Sequence, residues 1–382
     1  MSVTRKRPAT DIKPTRCVRV KKEPIDVIKI ESDDESPSPF TQLQSILTSL
    51  KLTDEIPNYK LKRKPKLKCR PPQRTVFDIS NLDFSYPLEE QIEIDDLYFL
   101  HYALTYSRKT VFVTGAGVSV HSGIPDFRSS NGLFSSLATK DSGSGKNLFD
   151  YNLFRNSDSI AAFEDMIHSL VKLSNKATPS PFHKMMDQIS SQNRLLRLYT
   201  QNIDALDTQL PNLQTSIPLN LKESPKTVQL HGTIKLLNCS KCNYTCPLSS
   251  QKLITPCNNC TELNEVRKIA GKRTHSEGFL RPRIVLYNEF HPDGELIGRI
   301  TEKDLKCKPD CLVISGTTLK IPGVKRLVKE MARVVHANKG YVIWINIDLP
   351  PQNIVDYIDY IDLVVVGDCQ LVPGLVKLYS FM

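Results

Sequence analysis

Fifteen consecutive residues, Thr114-Gly-Ala-Gly-Val-Ser-Val-His-Ser-Gly-Ile-Pro-Asp-Phe-Arg128, set an acid, an aromatic ring and a guanidinium among small residues. They follow Val111-Phe112-Val113, a β-branched and aromatic run that predicts a buried strand entering a tight turn. Gly115 and Gly117 let the backbone approach a phosphate and take positive φ where needed. A helix starting there would turn its free N–H groups and positive dipole end toward that phosphate. The G-x-G-x-x-G dinucleotide fingerprint is not met, because its third glycine position holds Val120. A plain surface loop has no need of Asp126, Phe127 and Arg128 side by side. Downstream stand Thr200-Gln-Asn-Ile-Asp204, then His231-Gly232, then two Cys-x-x-Cys pairs, Cys239/Cys242 and Cys257/Cys260, with 14 residues between them. Each pair fits a knuckle that aims two thiolates at one ion, so together they predict a tetrahedral zinc site. With all four positions filled by protein, such an ion is structural and holds no catalytic water. Cys246 lies nearby with poorer spacing.

These strings, in this order, resemble the signature of the sirtuins, the Sir2-type NAD-dependent protein-lysine deacylases. The resemblance runs from about Asp96 to the C-terminus, and the family's zinc module also follows the His-Gly pair. It implies that the substrate's acetyl oxygen attacks the nicotinamide ribose, giving nicotinamide and O-acetyl-ADP-ribose. In that reaction His231 is the general base, a role suited to an imidazole with an unperturbed pKa of about 6.5. Asn202 and Asp204 position the ribose and a water; helix capping is the competing use of these residue types. The resemblance places Gly115, Ala116, Gly117, Ser119, Asp126, Phe127, Arg128 and Gln201 at the cofactor, with Phe127 shielding the reactive carbon. Gly316-Thr317-Thr318 resembles the family's Gly-Thr-Ser contact, with Thr318 keeping a hydroxyl. Asn346, Asp368 and Cys369 match adenosine-side contacts. Pro282-Arg-Ile-Val-Leu-Tyr-Asn-Glu289 aligns with the family's Pro-x-Val-Val-Phe-Phe-Gly-Glu, which puts Val285, Leu286 and Tyr287 in the substrate groove. Asn288 replaces the glycine and is a residue type that tolerates positive φ. An apolar lining with no basic pair beside it favours short neutral acyl groups. An ordinary buried strand is the plainer use of residues 284–287.

Strands and helices must deliver these residues. Residues 195–199, 228–230, 311–315, 341–345 and 361–366 read as strands, and 160–173, 181–190, 323–338 and 372–380 as helices. A helix is also expected from Ile92 to Leu104. The alternation predicts an α/β fold: a Rossmann-like parallel sheet with an inserted small zinc-binding domain at about 233–275. Ligands in such sheets bind at the carboxyl ends of strands, where Gly115, Gln201, His231, Gly316, Asn346 and Gly367 all fall. Residues 208–226 read as a polar surface excursion, and Asp141–Lys146 as a flexible insertion.

The chain has 382 residues and 40% hydrophobic content, enough for a real core. No apolar run approaches the length of a membrane span, and no signal-peptide core is expected at the N-terminus. Ten cysteines without such a signal fit a reducing compartment, with Cys17, Cys69, Cys246, Cys307, Cys311 and Cys369 as free thiols. Residues 1–75 hold 18 Lys+Arg against 9 Asp+Glu, and the rest 33 against 32. The expected layout is therefore a disordered basic tail over 1–85, preceding a catalytic domain over 86–382. Arg5-Lys-Arg7 and Lys60-Leu-Lys-Arg-Lys-Pro-Lys-Leu-Lys68 are basic clusters, the second dense enough for a nuclear import receptor. Val27-Ile-Lys-Ile30 before Glu31–Glu35 resembles a SUMO-interacting motif, and Lys21 and Lys29 match the attachment pattern. Ser36-Pro37 and Ser38-Pro39 suit proline-directed kinases. Residues 40–52 are expected to form a short amphipathic helix.

The expected function is that of a nuclear NAD-dependent protein-lysine deacetylase acting on an acetylated protein, a histone, in chromatin silencing and genome maintenance. The basic tail, the long loop and the altered groove are similar to fungal nuclear sirtuins acting on a histone core lysine. Protein ADP-ribosylation and a non-catalytic chromatin or SUMO-dependent scaffold are the alternatives. Hydride transfer is disfavoured by the missing third glycine.

Overall fold

Short buried runs of β-branched and aromatic residues become the strands that carry the site. The computed structural model describes residues 37–52, 64–126, 148–248, 252–358 and 361–381. Its strands are β1 (Thr75–Asp78), β2 (Thr110–Thr114), β3 (Leu195–Thr200), β4 (Thr227–Gln229), β5 (Gly232–Cys239), β6 (Thr245–Pro247), β7 (Thr255–Pro256), β8 (Phe279–Ile284), β9 (Cys311–Ser315), β10 (Tyr341–Asn346) and β11 (Leu363–Val366). Seven form one sheet in the order β1-β11-β10-β9-β2-β3-β4. Every pairing in it is parallel. All residues of β2, β9 and β10 are buried, which explains why they read as unbroken apolar runs: helices cover both faces.

From β2 the chain steps outward to β3 and β4; from β9 it steps the opposite way to β10 and β11. The direction reverses between β2 and β9, and such a switch point opens a crevice at the carboxyl ends of the strands. On one face Phe99, Leu100, Phe112, Phe182 and Ile343 share a core with the helices Ile94–Tyr106, Pro181–Ser191 and Val372–Tyr379. On the other, Ile314 and Trp344 share a core with Val328 and Met331 of the helix Pro322–Ala337.

The folded body reaches further toward the N-terminus than the sequence indicates. The expected short helix is present at Pro39–Ser49, where Ser38 caps it and Leu43 and Leu47 are buried. Residues 64–70 then run as a strap across the amino ends of the strands. Lys64 lies 3.6 Å from Asp310 and over the rings of Tyr102 and Tyr341. The Lys68 amide donates to the Tyr98 hydroxyl, and Arg70 pairs with Asp362. The strap ends in β1, an unexpected edge strand paired with β11. Thus residues 37–52 and 64–85, assigned above to a tail, contribute to the body. The strap and the terminal helices also explain why Ile94–Tyr106 is buried on nearly all sides. Residues 1–36 and 60–63, with their basic, SUMO-type and Ser36 motifs, lie outside the described residues, as does the 141–146 insertion.

The loop expected as a surface excursion is anchored. Leu213 and Leu219 are buried, one in each core. Arg197 grips Asp304 with two hydrogen bonds of 2.7 and 2.8 Å, the Tyr199 hydroxyl adds one of 2.7 Å, and Arg197 also donates to Ser224 and to the Pro225 carbonyl. A fork-shaped donor suits this task because one guanidinium satisfies a carboxylate and a loop together.

A second, antiparallel sheet, β6-β5-β8-β7, carries the cysteine pairs. Its apolar side shares a core with residues 148–171: Phe149, Phe163, Ile167, Ile234, Leu253, Ile284 and Leu286 meet there. The small lobe is therefore larger than the 233–275 expected, because it recruits the helix Ser157–Lys176 from before the insertion.

Candidate functional site

The crevice at the switch point is closed backbone against backbone. The Gly115 N–H donates to the Ser315 carbonyl and the Gly117 N–H to the Gly316 carbonyl, both at 3.0 Å. A Cβ on Gly115 would stand 2.6 Å from the Gly316 oxygen, one on Gly117 2.7 Å from the Gly316 Cα, and one on Gly316 2.6 Å from the Val118 nitrogen. This corrects the expected use of the first two glycines: Gly115 has φ −133°, and positive φ occurs at Gly316 instead. Their lack of side chains lets the β2 and β9 loops interlock. Residues Ala116–Ser122 form a 3-10 turn over the end of β2, with Phe40 of the N-terminal helix against His121 at 4.6 Å between ring centroids.

Polar side chains stitch the remaining strand ends to this lock. Gln201 Nε2 donates to Thr317 Oγ1 at 2.9 Å and to the Thr114 carbonyl at 3.2 Å. Asn346 Nδ2 donates to the Thr317 carbonyl at 3.0 Å. Asn202 Nδ2 donates to Ser119 Oγ at 3.1 Å, while Asn202 Oδ1 is buried with no hydrogen-bond partner among the described residues. Such an acceptor takes its donor from a water or from a bound molecule. Asn202 therefore caps no helix. Asp204 does serve its own turn, accepting from the Leu206 N–H at 2.9 Å. Burial, followed by the charge of Asp207, pushes the Asp204 carboxyl above the usual range.

His231 leaves the end of β4 and its Nδ1 lies 3.0 Å from the Gln201 carbonyl. A carbonyl only accepts, so the proton sits on Nδ1 and Nε2 is the basic nitrogen. Gly232 follows because φ is +80° there and a Cβ would run into the Arg283 carbonyl. The Val285 N–H donates to the His231 carbonyl at 2.9 Å, which fixes the groove strand against the histidine. Leu286 is buried and Tyr287 half-buried, its N–H donating to the Phe149 carbonyl. Asn288 has φ +62°, as its residue type allows. A basic pair does precede the groove: Arg281 and Arg283 are buried, paired with Glu289 and Asp293. Each charge is already answered by a carboxylate.

Thr318 follows at the rim, half-buried. Asp368 accepts from the Gln370 N–H at 3.0 Å, and Cys369 is buried at the foot of the crevice, where burial raises its thiol pKa. Asp126 closes the described part of the first motif; Phe127 and Arg128 lie outside the described residues.

A polar layer under the site was missed in the sequence. Ser180 caps the helix Pro181–Ser191 and contacts His183 Nδ1 at 2.7 Å, and His183 Nε2 lies 3.5 Å from Asp207. Gln370 ties that helix to the Val118 carbonyl. Burial depresses His183 to about 4 and raises Asp207 to about 6. The distance suggests an ion pair, but the desolvation cost dominates at this depth, so His183 stays neutral. The only sequence signal was Ser180-Pro-Phe-His183, a capping box with an unusual third member.

At the far end of β5 the four sulfurs of Cys239, Cys242, Cys257 and Cys260 lie within 4.8 Å of one another. Two of the separations are 3.6 and 3.7 Å. A tetrahedral ion with metal–sulfur bonds of about 2.3 Å requires edges of about 3.8 Å, so the set fits. Donors already face the sulfurs: the Lys241 and Gly278 amides and Asn259 Nδ2, at 3.3 to 3.4 Å. Cys246 stands outside the group, on β6 opposite Leu237.

The Sir2 family model matches residues 115–323. The NAD-dependent histone deacetylase HST4 of Saccharomyces cerevisiae is 47% identical over 329 residues, spanning 82% of this chain and 88% of that protein. The NAD-dependent protein deacetylase hst4 of Schizosaccharomyces pombe is 50% identical over 283 residues, spanning 72% and 68%. The crystal structure of a Sir2 homolog–NAD complex shares the fold, with a TM-score of 0.55 at 21% identity over 74% of this chain and 94% of that one. A parallel sheet whose switch point carries the glycine lock, the Gln-Asn pair and the histidine, joined to a four-cysteine lobe, agrees with these matches: the chain belongs to the Sir2 family.

Proposed function

We propose that this chain is an NAD-dependent protein-lysine deacetylase of the nucleus that acts on histones. The observation that carries the reading is His231, its Nδ1 proton held by the Gln201 carbonyl, beside the unanswered acceptor Asn202 Oδ1. NAD supplies the ribose carbon to which the acyl oxygen adds as nicotinamide leaves. The glycine lock and Gln201 shape the crevice floor for the phosphates and ribose, together with Ser119, Thr317 and Thr318. Asn346, Asp368 and Cys369 border the adenosine side, and the family motif assigns Asp126, Phe127 and Arg128 to the cofactor as well. His231 Nε2 takes the proton of a ribose hydroxyl. Asn202 Oδ1 accepts from a water or hydroxyl, and Asp204 shapes the turn beneath. Val285, Leu286 and Tyr287 flank the acyl-lysine. With Arg281 and Arg283 already neutralised, a neutral acetyl group suits the groove better than an acidic one.

The cysteine set holds one structural zinc ion, since thiolates in tetrahedral array prefer that metal and no position stays open for water. Among the N-terminal motifs, Arg5-Lys-Arg7 and the part of the Lys60–Lys68 run that precedes the strap serve an import receptor, and residues 27–35 a SUMO contact.

The test is mass spectrometry of acetylated histones incubated with the protein, with and without NAD, alongside His231→Ala. Acetyl loss that requires NAD, releases nicotinamide and disappears in the variant supports the reading. Unchanged acetylation with NAD intact refutes it, and addition of ADP-ribose to protein assigns a transferase instead.

A further inference from the structure

The small lobe ends in a rigid, exposed, basic turn that neither the core nor the crevice uses. The helix Asn258–Ile269 begins at the cysteine cluster, and its last turn carries Arg267 and Lys268. Lys272 and Arg273 follow at once, and no residue from 265 to 276 is buried. The turn is nevertheless locked. Asn264, only 6% exposed, donates to the His275 carbonyl at 2.8 Å and accepts from the His275 N–H at 2.9 Å. Arg267 Nε donates to the Arg273 carbonyl at 2.7 Å, and the Lys272 N–H to the Arg267 carbonyl at 2.8 Å. Ordering an exposed loop costs conformational entropy, and no burial is gained in return. Beside the cations, Leu263, Val266 and Ile269 are 50%, 63% and 88% exposed, spaced by three along one helix face. The helix also carries Glu262 and Glu265, the latter one turn before Lys268, whereas Glu277 is held by Thr261 and Asn264.

We infer that this turn is a docking surface for an acidic, partly apolar protein face on a large substrate. Four cations in a preordered turn call for an acidic partner, and their preorganisation lowers the cost of binding it. The apolar stripe favours a protein face over a phosphate backbone, against which Val266 and Ile269 would gain nothing. The inference rests on the deacetylase reading for the substrate and adds a second point of attachment. β5 runs for eight residues from Gly232, next to His231, to Cys239, a span of about 20–25 Å. A peptide with three residues on each side of the acyl-lysine reaches only about 11 Å from it. Short peptides cannot bridge both points, whereas a nucleosome core can.

The experiment compares the full chain with two variants, Lys268→Glu/Lys272→Glu/Arg273→Glu and Val266→Ser/Ile269→Ser. Binding to nucleosome core particles and to free duplex DNA is followed by fluorescence anisotropy, and kcat/KM is measured on a short acetyl-lysine peptide. Both variants are expected to weaken nucleosome binding by about tenfold, the size of one hot-spot loss. Affinity for free DNA and kcat/KM on the peptide should be unchanged. Nucleosome binding retained in either variant overturns the inference. So does an equal loss of affinity for free DNA, which would assign the turn to nucleic acid. A wild-type chain that binds nucleosomes through this turn but leaves the peptide acetylated would sink the deacetylase reading and keep the docking surface.

Discussion

Alanine at three glycines separates backbone strain from backbone contact at the crevice. Gly123 has φ +81° with nothing within 4 Å of an added Cβ. A side chain there costs only the left-handed backbone penalty, about 1–2 kcal/mol. Gly115 presents the opposite case. Its φ is −133°, which any residue adopts, but an added Cβ would press on the Gly316 oxygen at 2.6 Å and Thr317 Cβ at 2.7 Å. The first of these neighbours is backbone and cannot swing away, so Gly115→Ala must part the β2 and β9 loops, an overpacking cost of about 1–3 kcal/mol. Gly316 carries both burdens, with φ +63° and the Val118 nitrogen 2.6 Å from its Cβ. The two terms together give about 2–5 kcal/mol. Urea unfolding at constant m reads all three.

The site supplies a second readout. Parting the loops displaces Gln201 and Thr317, so Gly115→Ala and Gly316→Ala should weaken NAD binding by about tenfold in calorimetric titration, equivalent to about 1.4 kcal/mol. Gly115→Ala with wild-type stability and wild-type NAD affinity would refute the interlock. The loops would then yield freely, and the glycines would serve another purpose.

Asp304→Ala leaves the Arg197 guanidinium buried without its carboxylate, so unfolding free energy should fall by about 3–5 kcal/mol; a loss below about 1 kcal/mol, the value of an exposed pair, would show that solvent reaches it. Native mass spectrometry should find one zinc per wild-type chain and none in Cys257→Ser/Cys260→Ser, and a chelator should unfold the small lobe of the wild type, as judged by proteolysis between residues 232 and 284; metal retained in the variant contradicts the four-thiolate assignment. Asp207, raised to about 6 by burial, contributes stability present below about pH 4 and lost as pH rises through 6, whereas His183, depressed to about 4, contributes stability present above about 6.5 and lost as pH falls through 4. The slopes oppose each other, so Asp207→Asn should gain about 1.4 kcal/mol per pH unit relative to wild type between pH 4 and 6, and a flat difference would place the raised pKa elsewhere.

What the sequence reveals here depends on how far apart the cooperating residues stand. Strands buried on both faces, such as Val342-Ile-Trp-Ile345, announce themselves as apolar runs, and the Cys-x-x-Cys pairs encode their geometry in three-residue steps. β1 gave no such signal because it is an edge: Phe77 is buried but Val76 is 51% exposed, so its four residues show one inward position. The strap before it was read as charge, yet Lys64 and Arg70 are held by Asp310 and Asp362, acids that only the parallel topology brings to the same end of the sheet. The same holds inside the site. Residue types mark Gly115, Gln201 and His231 as unusual, and their position after strands places them at one crevice. That Gly115 is a glycine because of Gly316, 201 residues later, follows only once β2 lies beside β9. Arg197 and Asp304 stand 107 residues apart, and His183 meets Asp207 only because a helix packs back on the strand that it precedes. Local chemistry can be read along the chain, whereas the contacts that tune it belong to the strand order.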